Sequence, residues 1–111
     1  MAALVATVPT RTGVASTGAA VASSDTISRT ILGTRGAILE IINGNASPDN
    51  MTISDATVTV TGAAAASNAP SVTNGTSKVF FIDPRQADPS TGVTVTHSVT
   101  STVTYKLYPL G

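Results

Sequence analysis

Alternation of apolar and polar positions is the plainest signal in this chain, and it is strongest at the end. Across 93–107 the odd positions read Val, Val, His, Val, Ser, Val, Tyr, Leu. The even positions between them read Thr, Thr, Ser, Thr, Thr, Thr, Lys. A period of two places successive side chains on opposite faces of a strand. This stretch is therefore antiparallel β structure, with Val, Tyr and Leu inward and a threonine face outward. It is too long for one ordinary strand of about 3–10 residues, so it divides into two near 98–101.

The same reading carries upstream. In "DTISRTIL", Ile27 and Ile31 share a parity around Arg29, and "GTRG" at 33–36 makes a turn. "AILEIIN" is apolar on both parities apart from Glu40, the mark of a strand covered on both faces. It runs into "NGNASPDN", where Asn43 followed by Gly44 signals a hairpin. "MTISDATVTVTG" changes phase: Met51 and Ile53 are odd, whereas Val58 and Val60 are even. A period of two cannot absorb that shift, so a bulge or corner belongs near Asp55 and Ala56.

"GAAAASNAP" reads as a loop, with one helical turn through its alanines before Pro70. "NGTSKVFFID" opens on a second Asn-Gly turn and gives a short strand. There Phe80 and Ile82 face one way, and Val79 and Phe81 the other. "DPRQADPSTG" is a proline-marked connection. Short strands, frequent turns and little helix predict an all-β fold, an antiparallel β-sandwich or small β-barrel. Residues 1–25 are Ala, Thr, Ser, Gly and Val without a sustained period, too small to order alone. They are expected to form an extended N-terminal arm that finds its order against a neighbour through Val5, Val8, Val14 and Val21. The division is then an arm at 1–25 and a β-sandwich domain at 26–111.

Composition narrows the function. At 111 residues the chain builds one core and not two. Only 11% of residues are charged, and six basic and six acidic residues cancel, where an average soluble domain is about 25% charged. Nothing electrostatic invites nucleic acid or an anionic membrane as partner. So little charge also leaves a free monomer prone to associate, which fits a protein that lives assembled. Cysteine is absent, which removes disulfide, thiolate and zinc-thiolate chemistry. No signal peptide and no membrane span are read. The Asn-X-Ser/Thr triplets at Asn45, Asn50 and Asn74 read as turn asparagines rather than glycosylation acceptors.

Candidate chemistry is sparse. The only histidine, His97, lies on the valine parity, while Ser98 points to the opposite face. Alternation thus separates a Ser-His dyad, and His97 reads as packing or interface. Asp49, Asn50 and Asp55 lie close in sequence but miss the spacing of a calcium loop, so they read as turn residues. Asp83 and Asp88 each precede a proline, as loop-initiating residues do. The 33–36 turn is too short for a phosphate loop, and Arg35 reads as a solvated turn residue or an intersubunit contact. No catalytic, cofactor-binding or metal-binding residue is assigned and no cofactor is called for. The expectation is a structural or binding protein and not an enzyme.

"RGAILEIINGNASPDNMTIS", a strand into Asn-Gly and then a Thr-rich strand, resembles the first half of a known family. That family is the short all-β decoration (cement) proteins of tailed-bacteriophage capsids, of the type found on actinobacterial phages. "NGTSKVFFIDP" followed by "GVTVTHSVTSTVTYKLYPL" is similar to the second half, and "TGVASTGAAVASSDTI" to the lead-in. The likeness covers roughly 10–110 and is one of texture and order. It departs at Ile82-Asp83-Pro84, where Gly-Pro is more typical, and at the alanine run beginning at Ala63. The resemblance implies a virion protein on the capsid surface, made in the bacterial host cytoplasm. It implies the major capsid protein as partner, self-association as a homotrimer, and no active site. Alternatives from the same texture are a tail-tube, head-completion or fibre-base module, and a secreted β-domain adhesin or carbohydrate-binding domain.

Overall fold

The computed structural model describes residues 2–15, 18–58, 61–62 and 66–110. Its strands are β1 (Ala2–Ala3), β2 (Ala19–Ala20), β3 (Ser24–Ile27), β4 (Ala37–Asn43), β5 (Asp49–Asn50), β6 (Thr52–Ile53), β7 (Ser71–Val72), β8 (Ser77–Ile82), β9 (Val93–Thr96) and β10 (Val103–Pro109). One helical turn, α1 (Arg29–Leu32), and a 3-10 turn at Pro84–Gln86 complete it. The fold is an all-β sandwich. One sheet has the order β1-β3-β9-β6, the other β2-β10-β4-β8, and β5 pairs with β7 beside the first.

The core lies between the two sheets. Val93 and Val95 of β9 face Leu39 and Ile41 of β4 and Val103, Tyr105 and Leu107 of β10 as one buried cluster, with Ile27, Met51, Ile53, Val72 and Ile82. The alternation read from the sequence sets this up: in β10 Val103, Tyr105 and Leu107 are buried while Thr104, Lys106 and Tyr108 are not. The closing stretch divides as expected, but its halves β9 and β10 enter different sheets.

That change of sheet is general. Taken in chain order, β1, β2, β3, β4, β6, β8, β9 and β10 alternate between the two four-stranded sheets, while β5 and β7 form a separate pair. The hairpin expected at Asn43 and Gly44 is accordingly not formed, because β4 lies between β10 and β8. The Asn43 amide instead donates to Ser47 O and Val72 O, both at 3.0 Å, and its Oδ1 accepts from Asn45 N. The turn at Asn74 and Gly75 likewise carries the chain from β7 to β8, in another sheet.

Other local expectations shift in detail. "DTISRTIL" is not one strand: Ser28 caps α1, and Leu32 turns into the core. A helical turn replaces the second half of the alternation because Ser28 supplies an N-cap oxygen and Gly33 a positive φ at the exit. β4 is covered on one face only, with Ile38 and Ile42 half-buried on the other. The corner near Asp55 is present: Asp55 Oδ1 accepts from Thr57 N at 2.9 Å and Thr57 Oγ1 at 2.7 Å as the chain leaves β6. Val60 and most of the alanine run lie outside the described residues.

An extended N-terminal arm is not seen. Leu4 and Val21 sit in the core, 5% and 7% exposed. β1 pairs in parallel with β3, and β2 pairs with β10. Leu4 N donates to Thr26 O in one sheet, and Thr7 N to Leu107 O in the other. Val5 N donates to the Tyr105 hydroxyl at 2.9 Å. The segment therefore closes one side of the sandwich. Val5, Val8 and Val14 are exposed.

Candidate functional site

His97 continues the inward parity of β9 and lies at the edge of the core with its side chain fully buried. It is not packed among apolar groups alone. Its Nδ1 lies 2.6 Å from Asp49 Oδ2, also fully buried. The other Asp49 oxygen accepts from Ser98 N at 3.0 Å and Val99 N at 3.5 Å. Asp49 is therefore no turn residue: it ties β5 to the crossing that leaves β9. One sign of this is readable from the chain alone, since a histidine on an apolar parity needs a polar partner.

The geometry does not make a nucleophile. Ser98 points away, as alternation required, and its Oγ accepts from Asn50 N at 2.8 Å. His97 Nε2 and Asp25 Oδ1 are the buried side-chain atoms that have no hydrogen-bond partner among the described residues. Both belong to the inner face of the first sheet: Asp25 is opposite Val95, and His97 N bonds Ser23 O. Asp25 Oδ2 accepts from Ala22 N at 3.0 Å, which holds the entry to β3. Among the described residues, no three His, Asp or Glu side chains are grouped to hold a metal ion.

An open cleft of about 320 Å³ is lined by Asp55, Thr57, Asp83, Arg85 and Gln86. Asp83 caps the 3-10 turn, and Gln86 Oε1 accepts from Asp83 N at 2.9 Å. Arg85 Nη2 sits 3.0 Å from Asp83 Oδ2. The Arg85 hydrogen bond holds the Asp83 carboxyl below its ordinary range, and Asp83 raises Arg85 in return. Asp88 is lowered chiefly by the Ser90 backbone N–H and then its hydroxyl. These are loop-initiating roles, as their positions before proline implied. Arg35 is exposed beside the 33–36 turn, and Asn45 bridges Ser47 N and Ser101 O as a turn residue.

The two outer faces of the sandwich differ in chemistry. On the first sheet, Ser24, Thr96 and Thr52 form one row across β3, β9 and β6, next to Thr26 and Thr94. The Thr52 and Thr96 hydroxyls hydrogen-bond each other. On the second sheet, the register gives the rows Phe81–Ile38–Tyr108, Val79–Glu40–Lys106 and Ser77–Ile42–Thr104. Val79 and Phe81 are 62% and 57% exposed. One face is hydroxyl-rich. The other is apolar, with a single acid and a single base opposite each other at its centre. No family model, curated protein or solved structure matches the chain.

Proposed function

We propose that this chain is a structural virion protein that binds the outer surface of a bacteriophage capsid and stabilises the shell. The observation that carries the reading is the contrast between the two outer faces. A monomer rarely keeps an extended apolar patch in water, and such a patch marks a surface that another protein covers. The Phe81, Ile38, Tyr108, Val79 and Ile42 face is that surface, and the major capsid protein is its partner. The threonine face is the one turned to solvent. Low charge and the order of strands support the same reading.

The mechanism is bridging. Each attached copy contacts more than one capsid subunit, so opening the shell must break these contacts as well as the shell's own. A stable attachment needs an interface of about 1,000 Å² or more. Linked copies gain further through effective concentration. Apolar contacts carry the attachment, so salt weakens it little. The test is co-sedimentation of purified protein with expanded particles that lack it. Retention over the shell surface, little changed by added salt, is expected. No retention, or retention at the tail alone, would defeat the reading and favour a tail module.

A further inference from the structure

Among the described residues, the sandwich keeps most of its sheet edges short and has one long edge strand. β1, β2 and β6 each end a sheet and are two residues long, whereas β8 ends its sheet with six residues, Ser77–Ile82. Short edge strands blunt unwanted pairing, and a long, apolar, exposed one invites it. β8 is exposed at Ser77, Lys78, Val79 and Phe81.

Its hydrogen-bonding side follows from the register. Asn43 N donates to Thr76 O at 2.9 Å, so alternate residues Lys78, Phe80 and Ile82 bond to β4. The N–H and C=O groups of Ser77, Val79 and Phe81 then face away from the sheet. The one charge on the strand does not guard them: Lys78 Nζ is drawn aside to Ser71 O at 2.8 Å.

We infer that β8 pairs antiparallel with β8 of a second copy about a two-fold axis, joining the two apolar sheets into one. The register that suits the sequence sets Val79 against Phe81 of the second copy, and Phe81 against its Val79. Both pairs exchange backbone hydrogen bonds, and an aromatic side chain meets a β-branched one in each. Phe80 then lies opposite its own counterpart, and Lys78 opposite Ile82. Asp83, still extended at φ −78° and ψ 139°, follows Ile82. Ser77 of one copy then lies opposite Asp83 of the other, and the Lys78 and Asp83 side chains fall on opposite faces of the joined sheet. No like charges meet. A register two residues shorter loses the Val–Phe pairs, which is the reason for choosing the first.

The occupant is a second copy because the edge complements itself: an apolar Val–Phe pair forms on each side of the two-fold axis, and no like charges meet. The contact is two-fold, so it makes a pair rather than the three-copy oligomer that the family resemblance implies. A strand seam is smaller than a standard interface of about 1,600 Å². The pair is therefore weak in dilute solution, and forms in the micromolar-to-millimolar range. The inference does not depend on shell binding.

Sedimentation velocity across that concentration range, with the full chain, is the test. A monomer–dimer equilibrium is expected. Val79→Pro should abolish it and leave the circular dichroism unchanged, since the N–H it removes faces the seam and not β4. Phe81→Lys should do the same without altering the backbone. The chain has no cysteine, so register can be read by disulfides. An equimolar mixture of Val79→Cys and Phe81→Cys chains should oxidise to a mixed dimer, and neither alone should cross-link. A monomer at every concentration, a trimer, or a dimer that survives both Val79→Pro and Phe81→Lys would overturn the inference. Cross-linking of Val79→Cys with itself would overturn the register.

Discussion

His97 and Asp49 hold each other out of solvent, and the pair is worth more as a unit than either residue is alone. Replacing His97 by Leu leaves the Asp49 carboxyl buried with only the Ser98 and Val99 N–H groups. Stranding a buried polar group in this way costs up to about 3 kcal/mol. Exchanging both residues for apolar ones removes the stranded partner, and such replacements are often close to neutral. Chemical denaturation of His97→Leu, Asp49→Leu and the double variant should show a coupling of at least about 1 kcal/mol. Additive losses would mean that the pair is not coupled. At this scale the sequence placed His97 inward and turned Ser98 away, because parity alone decides both. It could not name Asp49 as the partner. The two residues lie 48 positions apart, and only the path of the chain between the sheets brings them together.

Two of the turns that join the elements hold a glycine that admits no side chain. A Cβ at Gly36 would lie 2.2 Å from Ile82 O, and one at Gly92 2.2 Å from Ile27 O. Both residues also have positive φ, 88° and 76°. Gly36→Ala and Gly92→Ala should therefore each lower stability by more than the roughly 1 kcal/mol cost of a positive φ alone. Gly62→Ala is the control, because its φ of 88° is similar but nothing lies within 4 Å. Thermal melts that rank all three alike would contradict the crowding. Element types and many faces were legible locally: the odd residues of β10, Phe80 and Ile82 against Val79 and Phe81, and the break within 98–101. Hairpin partners were not. Asn43-Gly44 and Asn74-Gly75 do turn the chain, but a turn signal does not say whether the next strand returns to the same sheet. Here it crosses to the other one.

Over the whole molecule, the N-terminal segment is part of what closes the sandwich. Its low hydrophobicity argued for an arm, yet Leu4 and Val21 are buried in the core cluster. Deleting residues 1–21 should open the β10 edge and lower the melting temperature, and Leu4→Ala alone should cost about 2–5 kcal/mol. A truncated chain as stable as the full one would restore the arm. The same closure leaves two chemically distinct outer faces, and in the proposed function the shell covers the apolar one. Cryo-EM of particles re-decorated with the purified protein tests this most directly. Density is expected on the outer shell, with Phe81, Ile38 and Tyr108 turned to the capsid and Thr26, Thr94 and Thr96 turned to solvent. Density with the threonine face against the shell, or none on the shell at all, would contradict it.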